Sequence, residues 1–183
     1  LGLWCVAEGL VYPNFDPEKH VVSEYDDRGR YYVSIDYGTI NPTSMGLWRL
    51  NGDGAVRVKE FYFDSRREHK QLTDEEYYAE LEKLVGDRNI QAVVVDPSAA
   101  SFIACIRKHG RFHVRKADND VIDGIRITQT LLSEGRLLFH ESCTDSIREF
   151  GIYAWDEKSL DKDAVIKEND HAMDDIRYFC NTT

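Results

Sequence analysis

The sequence predicts an α/β domain with a mixed central sheet, three antiparallel strands followed by parallel strands, flanked by helices. Three observations carry that prediction. Tyr31 to Ile35 is a run of aromatic and β-branched residues that ends in Asp36 and breaks at Gly38, as a strand emptying into a turn requires. Ser44 to Leu50 and Ala55 to Asp64 follow as two more strand-like segments, joined by Asn51-Gly52-Asp53-Gly54, whose residues tolerate the backbone of a tight hairpin. Ile90 to Val95 is then an unbroken apolar run reached through a helical segment, the pattern of a strand buried on both faces and parallel to its neighbour.

Taken in order, Leu1 to Asp16 mixes apolar residues with Gly2, Gly9 and Pro13 without a period of 2 or 3.6, and reads as an irregular arm. Asp26 to Arg30 is a polar turn before the first strand. Thr73-Asp74-Glu75-Glu76 has capping-box spacing, and Tyr77, Tyr78, Leu81, Leu84 and Val85 recur at helical intervals up to Gly86. Beyond Asp96, a helix is expected over Ser101 to Lys108, a short strand over Phe112 to Val114, and a helix from about Asp120 to Glu134, stopped by Gly135. Leu137 to Phe139 reads as a strand, Asp145 to Phe150 as helical, Tyr153 to Trp155 as extended, and Asp156 to Asp163 as a charged loop. A helix over about Glu168 to Cys180 closes the chain. This order of elements is that of a ribonuclease H-like fold.

Composition narrows the function. With 183 residues, 42% of them hydrophobic, one well-buried core is expected. A formal charge of −10 argues against a protein that coats polyanions generally, but not against one that gathers carboxylates around cations. Cys5, Cys105, Cys143 and Cys180 are scattered, without a C-x-x-C pair, so neither a disulfide framework nor a zinc site is suggested. No apolar run approaches a membrane span, no basic leader precedes Leu1 to Tyr12, and no phosphate loop of the G-x-x-x-x-G-K-[ST] type occurs. The start at Leu1 rather than Met fits a piece of a longer protein.

Asp36 and Asp96 both end strands, at the edge where α/β sheets place ligands. On the closing helix, 100° per residue puts Ala172, Met173, Ile176, Phe179 and Cys180 on one side and His171, Asp174 and Tyr178 on the other. Packed across the sheet's end, that helix would aim Asp174 and His171 at the two strand carboxylates. Oxygen donors of this kind suit two divalent cations, Mg²⁺ or Mn²⁺, and phosphodiester hydrolysis without a Ser or Cys nucleophile. Asp170 and Asp175 flank Asp174, and helical geometry leaves open whether either joins the site. Arg107, Lys108, Arg111, Arg115 and Lys116 form the densest positive stretch and read either as a phosphate-contacting rim or as a solvated helix end.

Ser34-Ile35-Asp36-Tyr37-Gly38, Val93-Val94-Val95-Asp96-Pro97 and above all Asn169-Asp170-His171-Ala172-Met173-Asp174-Asp175-Ile176-Arg177-Tyr178 resemble the nuclease domain of the large terminase subunit of tailed bacteriophages. Trp4-x-x-x-Glu8-Gly9-x-Val11-Tyr12-Pro13 is similar to the segment joining that subunit's packaging ATPase to its nuclease. The resemblance implies a linker over residues 1–25 after an absent ATPase domain, and a nuclease domain over 26–183. It implies a metal-dependent endonuclease that cuts concatemeric phage DNA at the start and end of packaging, with Asp36, Asp96, Asp174 and His171 at the metals. It also implies double-stranded DNA, the ATPase domain, the small terminase subunit and the portal as partners, no membrane, and a place in the infected host's cytoplasm, transiently at the procapsid portal. Asp175 departs from the pattern, standing where the family often has a small residue. Two rival readings remain at this level. Asp36-x-Gly38-Thr39 also resembles the first phosphate loop of actin-like and sugar-kinase ATPases, although Asp96-Pro97-Ser98-Ala99-Ala100 lacks the glycine-rich turn expected there. A non-enzymatic docking module is the other.

Overall fold

A computed structural model describes residues 8–160 and 163–183. The opening of the expected arm and two residues of the charged loop lie outside the described residues. A seven-stranded sheet forms the centre, in the order β1-β7-β4-β3-β2-β5-β6. The strands are β1 (Val21–Val22), β2 (Arg30–Asp36), β3 (Thr43–Asn51), β4 (Gly54–Phe63), β5 (Ile90–Val95), β6 (Val114–Lys116) and β7 (Leu137–His140). β2, β3 and β4 are antiparallel, while β5 joins β2, β6 joins β5 and β7 joins β4 in parallel. The five strands from β4 to β6 run in ribonuclease H order, so the fold is the one the sequence predicts.

Helices cover both faces: α1 (Pro17–His20), α2 (Ser65–Glu68), α3 (Asp74–Val85), α4 (Ala100–His109), α5 (Val121–Ser133), α6 (Thr144–Phe150) and α7 (His171–Thr182). Against one face, Tyr77 and Leu81 of α3 and Phe102 and Ile106 of α4 bury Val33, Ile35 and Val93. Against the other, Ile125 of α5, Phe150 of α6 and Ile176 and Phe179 of α7 cover Tyr32, Trp48 and Ala92. Phe179 stacks on Trp48 with ring centroids 4.2 Å apart. The capping box at Thr73 and Glu76 forms as its spacing predicts.

Several boundaries differ from the sequence expectation. The edge strand falls at Val114–Lys116, not Phe112 to Val114, because Val114 and Lys116 are the residues in register with Val93 and Val95. Phe112 instead packs beside Tyr78, with the Arg111 guanidinium over its ring. α7 begins at His171 rather than near Glu168, since Asn169 takes a left-handed φ of 52° that a helix does not continue through. Tyr153 to Trp155 is extended only as isolated bridges, Ala154 to Leu10 and Trp155 to Val165. The described part of the arm is irregular and packed, in keeping with its apolar content. Val11, Tyr12 and Phe15 are buried in the α7-side core, and Phe15 stacks on Phe150 at 4.1 Å.

Candidate active site

The alternation of β2 and β5 delivers both strand carboxylates to the same side. Successive side chains point to opposite faces, so Val33 and Ile35 lie in the core under α3 and α4 while Tyr32, Ser34 and Asp36 face α7. β5 behaves alike: Val93 and Val95 enter the first core, whereas Val94 packs with Tyr178 of α7 and Asp96 follows in the same phase. Ile35 pairs with Val95 in the parallel ladder, which sets Asp36 and Asp96 side by side at the strand ends. Ser34 and Ala92 are small, which leaves room for α7 against the strands.

α7 then contributes His171, Asp174 and Tyr178 to a cleft of about 400 Å³ shared with Asp36 and Asp96. His171 Nδ1 lies 3.0 Å from Asp36 Oδ2, and its Nε2 lies 3.6 Å from Asp170 Oδ1. Tyr178 donates to Asp96 Oδ2 at 2.8 Å. Arg177 donates to Asp174 Oδ1 at 3.1 Å and to the backbone oxygens of Asn119 and Asp120, so a guanidinium fastened to the α5 entry holds the carboxylate. Gly124 lets it lie there: a Cβ at that position would come within 2.4 Å of Arg177 Cγ. All four sequence-nominated site residues, Asp36, Asp96, Asp174 and His171, therefore meet in one cleft. Asp170, left open by the sequence, lines it as a fourth carboxylate and is buried.

The electrostatics are those of carboxylates crowded out of water. Burial pushes Asp36 up to about 7, against the opposing His171 hydrogen bond, and the Asp174 charge adds to the rise. Burial likewise raises Asp174, with Arg177 pulling the other way. His171 is held above its ordinary pKa: burial works against the imidazolium, but its hydrogen bond to Asp36 and the charges of Asp36 and Asp170 outweigh it. Burial and the nearby acids push the Tyr178 phenol far up, so it stays a donor.

Asp175, one residue from Asp174, does something else. It is fully buried beneath the site, paired through both oxygens with Arg57 and accepting from Ser34 at 2.7 Å and from Ser44. Gly46 makes the pairing possible, since a Cβ there would sit 1.9 Å from Arg57 Nη1. Glu60 receives the Arg57 Nε at 3.2 Å and the amide of Asp145 at 2.8 Å. The sequence left open whether Asp175 joins the site; the fold commits it to this buried pair instead. Glu149, also buried, accepts the first-turn amides of Ala172 and Met173 and the Tyr62 hydroxyl, capping the helix that carries the site.

The basic stretch is divided. Arg107 and Lys116 flank a hollow beside Pro97, next to Asp96. Arg111 is turned to Glu82 Oε2 at 3.1 Å and to the Gly86 carbonyl at 2.6 Å, away from the cleft. Lys108 and Arg115 are exposed, and His109 within the stretch bonds Glu75 at 2.7 Å. A second basic group, which sequence reading missed because it comes from three separate segments, opens from the other side of the cleft. Arg66 and Arg67 of α2, Arg148 of α6 and Lys167 line a hollow of about 480 Å³ that shares Asn41, Pro42, Lys167 and His171 with the carboxylate cleft.

No protein-family model matches the chain. The large terminase subunit of Escherichia phage T5 is 22% identical over 186 residues, covering 94% of this chain and 42% of that protein. The large terminase of a thermophilic bacteriophage, solved in complex with ADP, is 46% identical with a TM-score of 0.91, covering 99% of this chain and 46% of that one. The chain thus spans less than half the length of these relatives. The nuclease domain of the P22 large terminase superposes with a TM-score of 0.75 at 17% identity, covering 96% of this chain and 92% of that one. The large terminase nuclease of the thermophilic phage G20c, solved with bound magnesium, gives a TM-score of 0.68 at 11% identity, covering 97% and 98%. At these low identities the last two likenesses establish the fold.

Proposed function

We propose that this chain, whose homologues are large terminase subunits, is a metal-dependent nuclease domain that hydrolyses DNA phosphodiesters. The observation that carries the reading is the convergence of Asp36, Asp96 and Asp174 from two strands and a helix on one open cleft, with Asp170 and His171 beside them. The donor set fits hard divalent cations. Carboxylate oxygens are the ligands Mg²⁺ and Mn²⁺ prefer, and burial has already raised Asp36 and Asp174, a cost that a cation removes. The neighbour from phage G20c, solved with bound magnesium, supports the same assignment. Held by Asp36, Asp96 and Asp174, two such cations would supply an activated water and charge to neutralise the leaving 3′ oxygen.

The chain's own residues prepare that chemistry. Asp36, Asp96 and Asp174 hold the cations, and Arg177 and Tyr178 fix the orientation of Asp174 and Asp96. His171 anchors Asp36 and carries a proton beside the reacting phosphate. The domain cuts within double-stranded DNA during genome packaging, in the host cytoplasm and at the procapsid portal. It works there with an ATPase domain, the small terminase subunit and the portal. Incubating the chain with plasmid DNA in Mn²⁺, Mg²⁺ or EDTA tests the proposal: nicking and linearisation with either metal, and none in chelator, is the expected result. Full cleavage in excess EDTA, or none with any divalent metal, overturns it.

A further inference from the structure

We infer that the hollow lined by Arg66, Arg67, Arg148 and Lys167 is the phosphate-binding track of the cut strand; this rests on the nuclease reading above. The cleft itself is a poor place for a polyanion, since four carboxylates line it. The hollow next to it has the opposite sign, and His171, Lys167, Asn41 and Pro42 belong to both walls, so a backbone entering the cleft passes directly over the basic side chains. The charge of Arg66 and Arg67 is largely unspent, while that of Lys167 also acts on Asp174. Arg66 reaches only the neutral Asn41 Oδ1, at 3.3 Å, and Lys167 makes no hydrogen bond or ion pair with a described residue. Arg67 meets Glu68 at 3.4 Å with both side chains at least half exposed, a pairing worth little in water. Two acids, Asp64 and Glu168, line the same hollow against the four basic side chains, and Asp64 is occupied capping α2, accepting from the amides of Arg66 and Arg67. Arg148 is the fixed member, paired with Asp145 and the buried Glu149, held by Asn169 and lying over the Tyr62 ring, so it shapes the track more than it charges it.

Geometry also separates this track from the stretch the sequence singled out. Arg111 is committed to Glu82 and the Gly86 carbonyl, whereas Arg66, Arg67 and Lys167 are exposed at the cleft mouth. The track meets phosphates, so it positions DNA of any sequence rather than reading bases.

The test is binding of a fluorescently labelled DNA duplex, followed by anisotropy without divalent metal across a salt series. An Arg66→Glu/Arg67→Glu variant is expected to bind about tenfold or more weakly and to lower the slope of log K against log salt by about 2, near 0.9 for each phosphate no longer neutralised. Lys83→Glu/Arg126→Glu, a charge-matched change elsewhere, should stay within about twofold of the unmodified chain by the same argument. Melting curves confirm that each variant is folded, which the exposure of these side chains favours. The inference is overturned if Arg66→Glu/Arg67→Glu binds as the unmodified chain does, or if Arg107→Glu/Lys108→Glu costs as much or more. Metal-dependent plasmid cleavage by the unmodified chain is scored in parallel. Cleavage with unchanged binding in the variant sinks the track alone, whereas loss of both binding and cleavage in the unmodified chain sinks the nuclease reading with it.

Discussion

Adjacent residues on a helix point 100° apart, which sends Asp174 into the cleft and Asp175 between the helix and the sheet. The two carboxylates should therefore fail in different ways when their charge is removed. Asp36→Asn and Asp174→Asn are expected to abolish metal-dependent cleavage; Asp36→Asn should melt close to the unmodified chain, and Asp174→Asn should lose less stability than Asp175→Asn because Arg177 keeps the Asn119 and Asp120 carbonyls. Asp175→Asn is expected to cost about 3 to 5 kcal/mol, because it removes the carboxylate that faces both terminal nitrogens of a buried guanidinium and leaves that charge to Glu60 alone. Chemical denaturation with a cleavage assay on each variant decides the matter. Normal stability with no cleavage in Asp175→Asn would make it a ligand and shift the assignment by one residue. His171→Ala should leave residual activity, falling by about 10²- to 10⁴-fold if the imidazole moves protons.

α7 is the element on which the site depends, and its first turn hangs on Glu149. Burial pushes that carboxyl from 4.5 up to about 7, despite the Tyr62 hydroxyl and the Met173 amide that favour its charge. A carboxyl raised in the folded state is protonated there while the unfolded chain has already ionised. Its contribution is thus complete below about pH 4.5 and is lost as pH rises to about 7. Metal-free stability should accordingly decline over that window, and Glu149→Gln, which cannot titrate, should flatten the decline. An identical pH profile in the two would show that Glu149 does not govern it. The fate of this helix also shows what the sequence could reveal. Its apolar side was legible from the spacing of Ala172, Met173, Ile176 and Phe179, all of them buried. The strands β2 and β5 were legible for the same reason, because their apolar residues follow the period of the structure they build. Arg57 was not, since it reads locally as a solvated charge, and the role of Asp175 stayed open, since each becomes interior only through a partner 118 residues away. Gly46 inside a strand was the one local sign that another group approaches there.

Across the whole molecule, the carboxylate end of the sheet faces two basic groups, one along β6 and α4 and one along α2, α6 and Lys167. The first was visible as a run in the sequence. The second was not, because folding assembles it from α2, α6 and the approach to α7, which lie far apart along the chain. A divalent cation that binds only the folded arrangement should stabilise the whole domain. Mn²⁺ at about 100 times its Kd should add ~2.7 kcal/mol, read as a rise in melting temperature, and the Asp36→Asn/Asp174→Asn double variant should show no such rise. An equal rise in that variant would place the cation elsewhere.

The dependence of Arg57 on Asp175 has a consequence for how such a protein is made. A ribosome delivers β2, β3 and β4 well before it delivers α7, so for most of synthesis the guanidinium has only Glu60 of its own strand beside it, and Asp36 and Asp96 lack their third companion. A chain interrupted before that helix is left with the two terminal nitrogens of that guanidinium without their carboxylate. Such a fragment would be an easy target for cellular proteases rather than a half-built cutter loose on a chromosome.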